Sequence, residues 1–294
     1  MLSDELLKKV KLIEISTRRV MNDVMSGSYK SHFKGQGVQF SEHRQYVAGD
    51  DVRHIDWKVS ARTREPLVKK FDEERELNVF LVIDLSLSGG FGSKNKLKSE
   101  VIAEVASVLA HAATMTGDKI GALIFSGKVE KMIPPKKGRS HVLRIVRDIL
   151  AHESTSRGTG LQSALDMTAR IMKHSGVVFI LSDFIAENYA LSLKRLSRKH
   201  DVVAFRVQDG HEWNVPEVGS LFIRNPETGE EGLIDTRSYR FKAWLKEFTK
   251  KTNEELGSLF RTGGVEELKI DCREDYIAAV VRFFRARASK RRRA

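Results

Sequence analysis

The residues best placed to do chemistry are a carboxylate and two hydroxyls at alternate positions, Asp84, Ser86 and Ser88. They directly follow the apolar residues 79–83, which predict a buried strand. Side chains that follow a strand of a parallel sheet lie in the crevice at its carboxyl edge, where ligands bind. Oxygen ligands of this kind suit Mg²⁺ better than Zn²⁺, with Mn²⁺ or Ca²⁺ as alternatives. The spacing therefore predicts a magnesium site.

Two further segments carry oxygen groups to the same edge. Asp183 comes shortly after a second apolar stretch, residues 177–181, and Thr159 precedes a predicted helix. If the strands are parallel, Asp183 and Thr159 lie beside Asp84. The loop before the helix also offers Ser154, Thr155 and Ser156. We expect five residues to form the site: Asp84, Ser86, Ser88, Thr159 and Asp183.

The elements that position these side chains are short apolar strands alternating with helices after residue 76. This pattern is typical of a mostly parallel sheet covered on both faces. Predicted strands cover residues 78–84, 119–125, 129–133, 177–182, 202–207 and 266–271. Predicted helices cover residues 96–115, 141–150, 161–173, 191–199, 240–250 or a little longer, and 275–288. Gly127 favours a hairpin at one edge of the sheet, and residues 215–236 predict a small β insertion.

The first 75 residues predict an N-terminal extension. Residues 3–24 have the apolar spacing of a helix, and the glycine-rich residues 26–37 indicate a loop. Acidic and basic residues are balanced between residues 43 and 75, which argues against a nucleic-acid groove. We expect a clamp in which Arg53 and Arg62 bond nearby aspartates while Trp57 packs as an apolar anchor, with a partner surface as the alternative. The candidate aspartates are Asp50, Asp51 and Asp56.

The metal motif resembles the metal-ion-dependent adhesion site of von Willebrand factor A domains. The motif Asp84-x-Ser86-x-Ser88, a threonine six residues before Leu165, and Ser182-Asp183 after a strand occur in the order of that family. The resemblance implies a doubly wound, mostly parallel sheet. It also implies that a carboxylate of a partner protein completes the coordination of the ion.

The same resemblance implies a role for each ligand. Ser86, Ser88 and Thr159 would offer hydroxyls to the ion. Asp84 and Asp183 would orient bound waters or approach the ion directly. The sequence departs from the family after Ser88, where glycines follow in place of a bulkier residue, so we expect a looser turn and a lower metal affinity.

A second signature lies upstream, in Gly49-Asp50-Asp51-x-Arg53-x-Ile55-Asp56-Trp57. It looks like a bacterial family of von Willebrand A-like proteins of unknown function that is associated with MoxR ATPases. The resemblance extends from Gly35 to the C-terminus. It implies a cytoplasmic partner of a MoxR-type AAA+ ATPase, acting as an adaptor or a chaperone-like factor.

Several enzyme classes are disfavoured by the sequence. A P-loop needs Gly-Lys followed by Ser or Thr, but Ser93 separates Gly92 from Lys94. A haloacid-dehalogenase-like phosphatase needs a second aspartate where Ser86 stands. The nine histidines are scattered singly. We therefore expect a non-enzymatic interaction protein, with a hydrolase that uses the same metal to activate water as the alternative.

The net charge and the length of the apolar runs bear on two further classes, nucleic-acid-binding proteins and membrane proteins. The chain of 294 residues has a formal net charge of +12, and seven basic residues lie among the last thirteen. We expect this basic tail to be a solvated helix end, with nucleic-acid binding as a disfavoured alternative. No apolar run approaches the length of a membrane helix, so no membrane partner is expected. The single Cys272 agrees with a cytoplasmic location.

Overall fold

The computed structural model describes residues 39–291, except residues 48, 73–76, 93–95, 155 and 225–228. The chain divides into two compact units, of which one is Phe33–Leu77 and the other contains Asn78–Ala294. The predicted N-terminal helix at residues 3–24, the loop at residues 26–37, and the predicted domain boundary between residues 75 and 76 lie outside the described residues.

The small unit contains a two-stranded antiparallel sheet and one short helix. Strand β1 (Gln39–Gln45) pairs with β2 (Leu67–Asp72), and helix α1 (Trp57–Thr63) lies between them in the chain. The serine Ser60 is the buried residue of α1, and its hydroxyl accepts a hydrogen bond from the amide of Leu67 at 2.8 Å. The sequence did not predict these strands, because β1 lacks the apolar alternation of a half-buried strand.

The expected clamp in this unit is partly wrong. Asp50 forms a two-pronged ion pair with Arg44 rather than with Arg53 or Arg62, at 2.6 Å for each bond. Arg53 does bond Asp51, with 3.2 Å between Nε and Oδ1. Trp57 is 69% exposed, so it is not a packed anchor. Helix α1 is held by the backbone contact of Ser60 and by its N-cap, Asp56, which accepts from the amides of Lys58 and Val59.

A six-stranded mixed sheet forms the centre of the larger unit. The strands of this unit are β3 (Asn78–Asp84), β4 (Lys119–Phe125), β5 (Val129–Lys136), β6 (Val177–Ser182), β7 (Asp201–Gln208), β8 (Ser220–Arg224), β9 (Glu231–Asp235) and β10 (Glu266–Asp271). The order in the central sheet is β10-β7-β6-β3-β4-β5, and every pair is parallel except β4 with β5. The predicted mostly parallel α/β sheet with a hairpin at one edge is therefore confirmed. Strands β8 and β9 form a separate antiparallel pair.

Helices cover both faces of the sheet. They are α2 (Lys98–Met115), α3 (Arg139–Leu150), α4 (Leu161–Ile171), α5 (Ala190–Ser197), α6 (Gly210–Trp213), α7 (Tyr239–Gly263) and α8 (Tyr276–Arg291). Side chains of a strand point alternately to opposite faces. In β6, Val178 and Ile180 belong to a core cluster with residues of α4, α5 and α7, whereas Phe179 contacts Phe284 of α8. Burial on both faces explains the continuous apolar runs of β3 and β6.

The solvated helix end that the sequence predicts is wrong at Arg287 of the C-terminal helix α8, whereas Arg282 and Arg285 are exposed. Val280 and Phe284 are buried in the core, and the side chain of Arg287 is 5% exposed. Arg287 bonds Asp201 at 2.5 Å and lies 3.2 Å from Glu266. Among the described residues, no helix combines the length and the apolar character that crossing a membrane requires.

Candidate metal centre at the carboxyl edge of the sheet

Two neighbouring strands bring the predicted ligands together. Strands β3 and β6 are adjacent and parallel, with Ile83 paired to Leu181, so both end at the same edge of the sheet. Asp84 is the last residue of β3, and Asp183 comes directly after the end of β6. Both carboxylates are buried, at 4% and 7% exposure. Parallel pairing thus joins positions that are about a hundred residues apart in the chain.

Hydrogen bonds link the side chains of this edge into one chain. The Ser182 hydroxyl donates to Oδ2 of Asp84 at 2.6 Å, and the amide of Ser86 donates to Oδ1 of Asp84 at 3.0 Å. The hydroxyls of Ser86 and Ser88 lie 3.0 Å apart. The Ser88 hydroxyl donates to Oδ2 of Asp183 at 3.3 Å. Consecutive hydrogen bonds therefore join four of the five predicted residues, namely Asp84, Ser86, Ser88 and Asp183.

Burial sets the acidity of Asp84. Removal of the carboxylate from water and the nearby negative charge of Asp183 raise the pKa of Asp84 to about 6, although the bonds from Ser182 and Ser86 act in the opposite direction. A cation at this edge would favour the ionised form of Asp84, since opposite charges lower the pKa of a carboxyl group. A positive charge at this edge would therefore stabilise the ionised carboxylate of Asp84.

A buried lysine supplies part of that charge, and the sequence reasoning missed it. The ammonium of Lys98, at the start of α2, lies 3.0 Å from Oδ2 of Asp183 and 2.7 Å from Oε1 of Glu212. The lysine is only 2% exposed. Burial lowers the pKa of Lys98, but Asp183 and Glu212 together raise it above its ordinary value. Lys98 therefore pairs with Asp183 and Glu212, while Asp84 lines the same cavity without bonding the lysine.

The backbone after Asp183 is turned into an unusual conformation. Phe184 has a φ of 60°, which bulky residues rarely adopt. Its buried ring packs edge-on against Phe260, with ring centroids 5.1 Å apart, and this packing keeps the residue in place. The turn lets the amide of Ile185 donate to Oδ1 of Asp183 at 3.0 Å. Phe184 and Ile185 thus fix the direction of the Asp183 carboxylate.

A small cavity lies among these side chains. Its volume is about 10 Å³, and Asp84, Ser86, Ser88, Lys98 and Asp183 line it together with Gly89, Ile102 and Val207. That volume is close to what one water or one small ion needs. Thr159, the fifth predicted residue, does not line the cavity. It lies just before α4 in the loop that the amide of Gly160 ties to the carbonyl of Ser126 at 2.6 Å.

The donor set fits an ion that prefers oxygen ligands. Neighbouring ligands in octahedral coordination of Mg²⁺ lie about 3 Å apart, close to the 3.0 Å between the two serine hydroxyls and the 3.3 Å from Ser88 to Asp183. Within the described residues, no three His, Cys, Asp or Glu side chains group as metal ligands. An ion at this edge would therefore have to be held by the hydroxyls of Ser86 and Ser88, backed by two carboxylates.

Comparisons with known proteins concern both family and fold. The profile of a family described as "Protein of unknown function DUF58" matches residues 42–255. The chain is 29% identical to the uncharacterised protein Rv1480 of Mycobacterium tuberculosis, over 98% of this chain and 90% of that protein. It is 33% identical to the uncharacterised protein YeaD of Bacillus subtilis, over 46% of this chain and 31% of that protein.

The solved structures that align with this chain are more distant in sequence. An aerotolerance-related membrane protein from Bacteroides fragilis aligns with 73% of this chain and 99% of its own, at 16% identity and a TM-score of 0.49. A conserved hypothetical protein, BatB, from Bacteroides thetaiotaomicron covers the same shares at 15% identity and a TM-score of 0.46.

Proposed function

The chain belongs to the DUF58 family of proteins of unknown function, and we propose that it is a non-enzymatic, von Willebrand A-like module that binds a partner protein through Mg²⁺. The ion would be held by Ser86 and Ser88, with Asp84 and Asp183 behind them. Thr159 is proposed as a further hydroxyl ligand from the loop before α4. Mn²⁺ and Ca²⁺ offer the same oxygen preference.

One observation carries this proposal. Two hydroxyls and two buried carboxylates from separate strand ends form a continuous hydrogen-bonded chain around a cavity of about 10 Å³. A turn that is merely capped would need only the bond that the amide of Ser86 donates to Asp84. The additional convergence of Ser88 on Asp183 supports the proposal of a cation site.

The protein's own residues would prepare that site by holding both carboxylates in place. Ser182 and the amide of Ser86 hold Asp84, and the amide of Ile185 and the ammonium of Lys98 hold Asp183. The two serine hydroxyls, which bond each other and Asp183, would turn their oxygens toward a bound ion. The bound ion supplies a localised positive charge that accepts a carboxylate of the partner.

The partner that we propose is a MoxR-type AAA+ ATPase, in the cytoplasm, with the chain as an adaptor or chaperone-like factor. Besides the resemblance of residues 49–57, the exposure of this segment supports an interaction role. Trp57 is 69% exposed, and Val52 and Val47 are 57% and 64% exposed. Exposed apolar side chains grouped on one short segment are typical of a contact surface.

The proposal is tested by affinity capture from a lysate of the source organism. The chain is used as wild type, as Asp84→Ala/Ser86→Ala, and as Glu254→Ala/Ser258→Ala, a control that removes one carboxylate and one hydroxyl from the exposed side of α7. We expect an AAA+ ATPase to be recovered with Mg²⁺ by wild type and control, and lost with EDTA or with the first variant. Identical recovery in every lane would refute capture through the metal.

A further inference from the structure

A groove on the larger unit lies between helix α7 and the segment that follows β7. Its volume is about 600 Å³, which is within the range of ligand-binding clefts. Phe241, Leu245 and Thr249 of α7 are half-buried and follow one another at intervals of four residues, so they form one stripe on the helix. Trp213, Val215 and Pro216 border the opposite side.

Four aromatic rings stiffen the wall of this groove. Trp213 stacks on Phe248, Phe248 on Trp244, and Trp244 on Phe241, with interplanar angles of 15°, 13° and 28°. The outer face of Trp213 is covered by the guanidinium of Arg206, 5.6 Å from the ring centre. The rings therefore stack mostly on one another, and a rigid apolar surface results.

The rim of the groove is basic. Lys242, Lys246 and Lys250 follow the apolar stripe one position later, again at intervals of four residues, and all three are exposed. Lys242 bonds Glu217 across the groove at 2.5 Å. In the part of the chain that the structure describes, Lys246 and Lys250 pair with no acidic side chain. The groove thus combines an apolar floor with two lysines available to a ligand.

We propose that this groove binds an acidic segment of a partner protein. An apolar side chain of that segment would contact Leu245 and Phe241, and its carboxylates would bond Lys246 and Lys250. Apolar anchors spaced along one face of a peptide, in a groove with complementary charge at the rim, are a common mode of peptide recognition. The proposal does not depend on the metal site.

Charge and shape favour this occupant over three others. A second copy of the chain brings a net charge of +12 and is repelled by the lysines. Single-stranded nucleic acid binds by stacking bases on free ring faces, but the two rings that line the groove, Trp213 and Phe241, each stack on another ring. A lipid surface is flat on this scale, whereas the floor residues lie between two walls.

Fluorescence anisotropy in EDTA tests the proposal without any contribution from the metal site. The probe is a labelled glutamate-rich peptide of about 15 residues with one Phe and two Leu at helical spacing. A second peptide has Lys in place of Glu, a third has Ala in place of the Phe and Leu residues, and a labelled oligothymidylate represents nucleic acid. The groove variant is Lys246→Glu/Lys250→Glu. The control variant, Arg240→Glu/Lys251→Glu, makes the same charge change elsewhere on α7.

We expect wild type and control to bind the acidic peptide, and the groove variant to bind it at least about fivefold more weakly. The lysine and alanine peptides should bind more weakly than the acidic peptide to wild type and to the control variant. Equal affinities of the groove and control variants for the acidic peptide would overturn the proposal. So would tighter binding of the oligothymidylate that the groove variant alone loses, because the groove would then be a nucleic-acid site.

Discussion

Asp84 and Lys98 are the two residues on which the electrostatics of the candidate site depend. Both are buried, and burial disfavours the charged form of each side chain. The sequence located Asp84, Ser86, Ser88 and Asp183 because polar residues directly after buried strands fall at one sheet edge. It did not locate Lys98 or Glu212, because lysine is normally solvated and the pairing joins residues more than a hundred positions apart.

The raised pKa of Asp84 predicts that this residue destabilises the fold near neutral pH in the absence of metal. The folded chain holds the proton up to about pH 6, whereas the unfolded chain releases it at about pH 4. Stability therefore falls as pH rises through that interval. In EDTA, Asp84→Asn should increase the free energy of unfolding by about 2 kcal/mol at neutral pH, and the gain should vanish near pH 4.

Urea denaturation at the two pH values measures this difference. Ser182→Ala, which keeps the carboxyl but removes its hydroxyl donor, is the comparison and should destabilise the protein at neutral pH. A loss of stability in Asp84→Asn at neutral pH would contradict the assigned pKa.

Lys98 is expected to compete with a metal ion for the same negative charge. Lys98→Met leaves Asp183 and Glu212 without their cation, so unfolding in EDTA should become easier by about 3 kcal/mol. Mg²⁺ should then raise the melting temperature of Lys98→Met more than that of wild type. Thermal denaturation with and without Mg²⁺ measures both effects, and Lys251→Met, on an exposed lysine of α7, is the control. An equal or smaller Mg²⁺ response in Lys98→Met would speak against competition.

At the scale of elements, sequence reasoning succeeded where burial on both faces makes a strand uniformly apolar. The observed bounds of β3, β4 and β6 are those of the predicted strands. It failed for β1 and β2, where polar side chains hide the period of the strand. The sequence placed the end of the helix after the β insertion at residue 250 or a little later, whereas α7 continues to Gly263 and ends at the left-handed Gly264. The missed turns contain Thr252, Asn253 and Gly257, which have low helix propensity.

The backbone of the loop that carries Thr159 lies close to the backbone at Gly127. This close contact predicts the effect of a substitution at Gly160, and Gly257 serves as the comparison. A Cβ on Gly160 would lie 2.5 Å from the carbonyl oxygen of Gly127, so Gly160→Ala has to move the loop. We expect a loss of about 2 kcal/mol in unfolding free energy and, if Thr159 is a ligand, a smaller stabilisation by Mg²⁺. Gly257→Ala, in the open interior of α7, should instead stabilise by up to about 1 kcal/mol.

Chemical denaturation of the two variants, with and without Mg²⁺, measures both effects. If Gly160→Ala is less stable than wild type but is stabilised by Mg²⁺ to the same extent, Thr159 is not a ligand.

At the scale of the whole molecule, the basic C-terminal segment packs into the folded body through Phe284 and Arg287. The sequence predicted a helix there but could not show that Arg287 is buried. The partners of Arg287 are Asp201 in β7 and Glu266 in β10, which lie far from it in the sequence. Deleting the last thirteen residues would remove Phe284 from the core and unfold the protein. The disfavoured nucleic-acid alternative is better tested with Arg282 and Arg285, which are exposed.

Arg287 is accordingly expected to stabilise the body rather than to bind a ligand. Arg287→Met removes the cation that lies between Asp201 and Glu266, and because both carboxylates are partly exposed it should reduce the free energy of unfolding by about 1 kcal/mol. Arg285→Met, on the exposed side of the same helix, should change it little. Urea titrations of both variants give the comparison, and similar midpoints would show that the buried ion pair does not stabilise the fold.

The central claim is that Ser86 and Ser88 hold an ion, and Mn²⁺ electron paramagnetic resonance tests it most directly, because only free Mn²⁺ gives the sharp signal. The metal-stripped chain is titrated as wild type, as Ser86→Ala/Ser88→Ala, and as Ser258→Ala/Ser289→Ala, which removes two exposed hydroxyls. We predict one bound ion per chain, displaced by Mg²⁺, in wild type and control, and none in the first variant. Equal binding by all three proteins, or no binding by wild type, would contradict the claim.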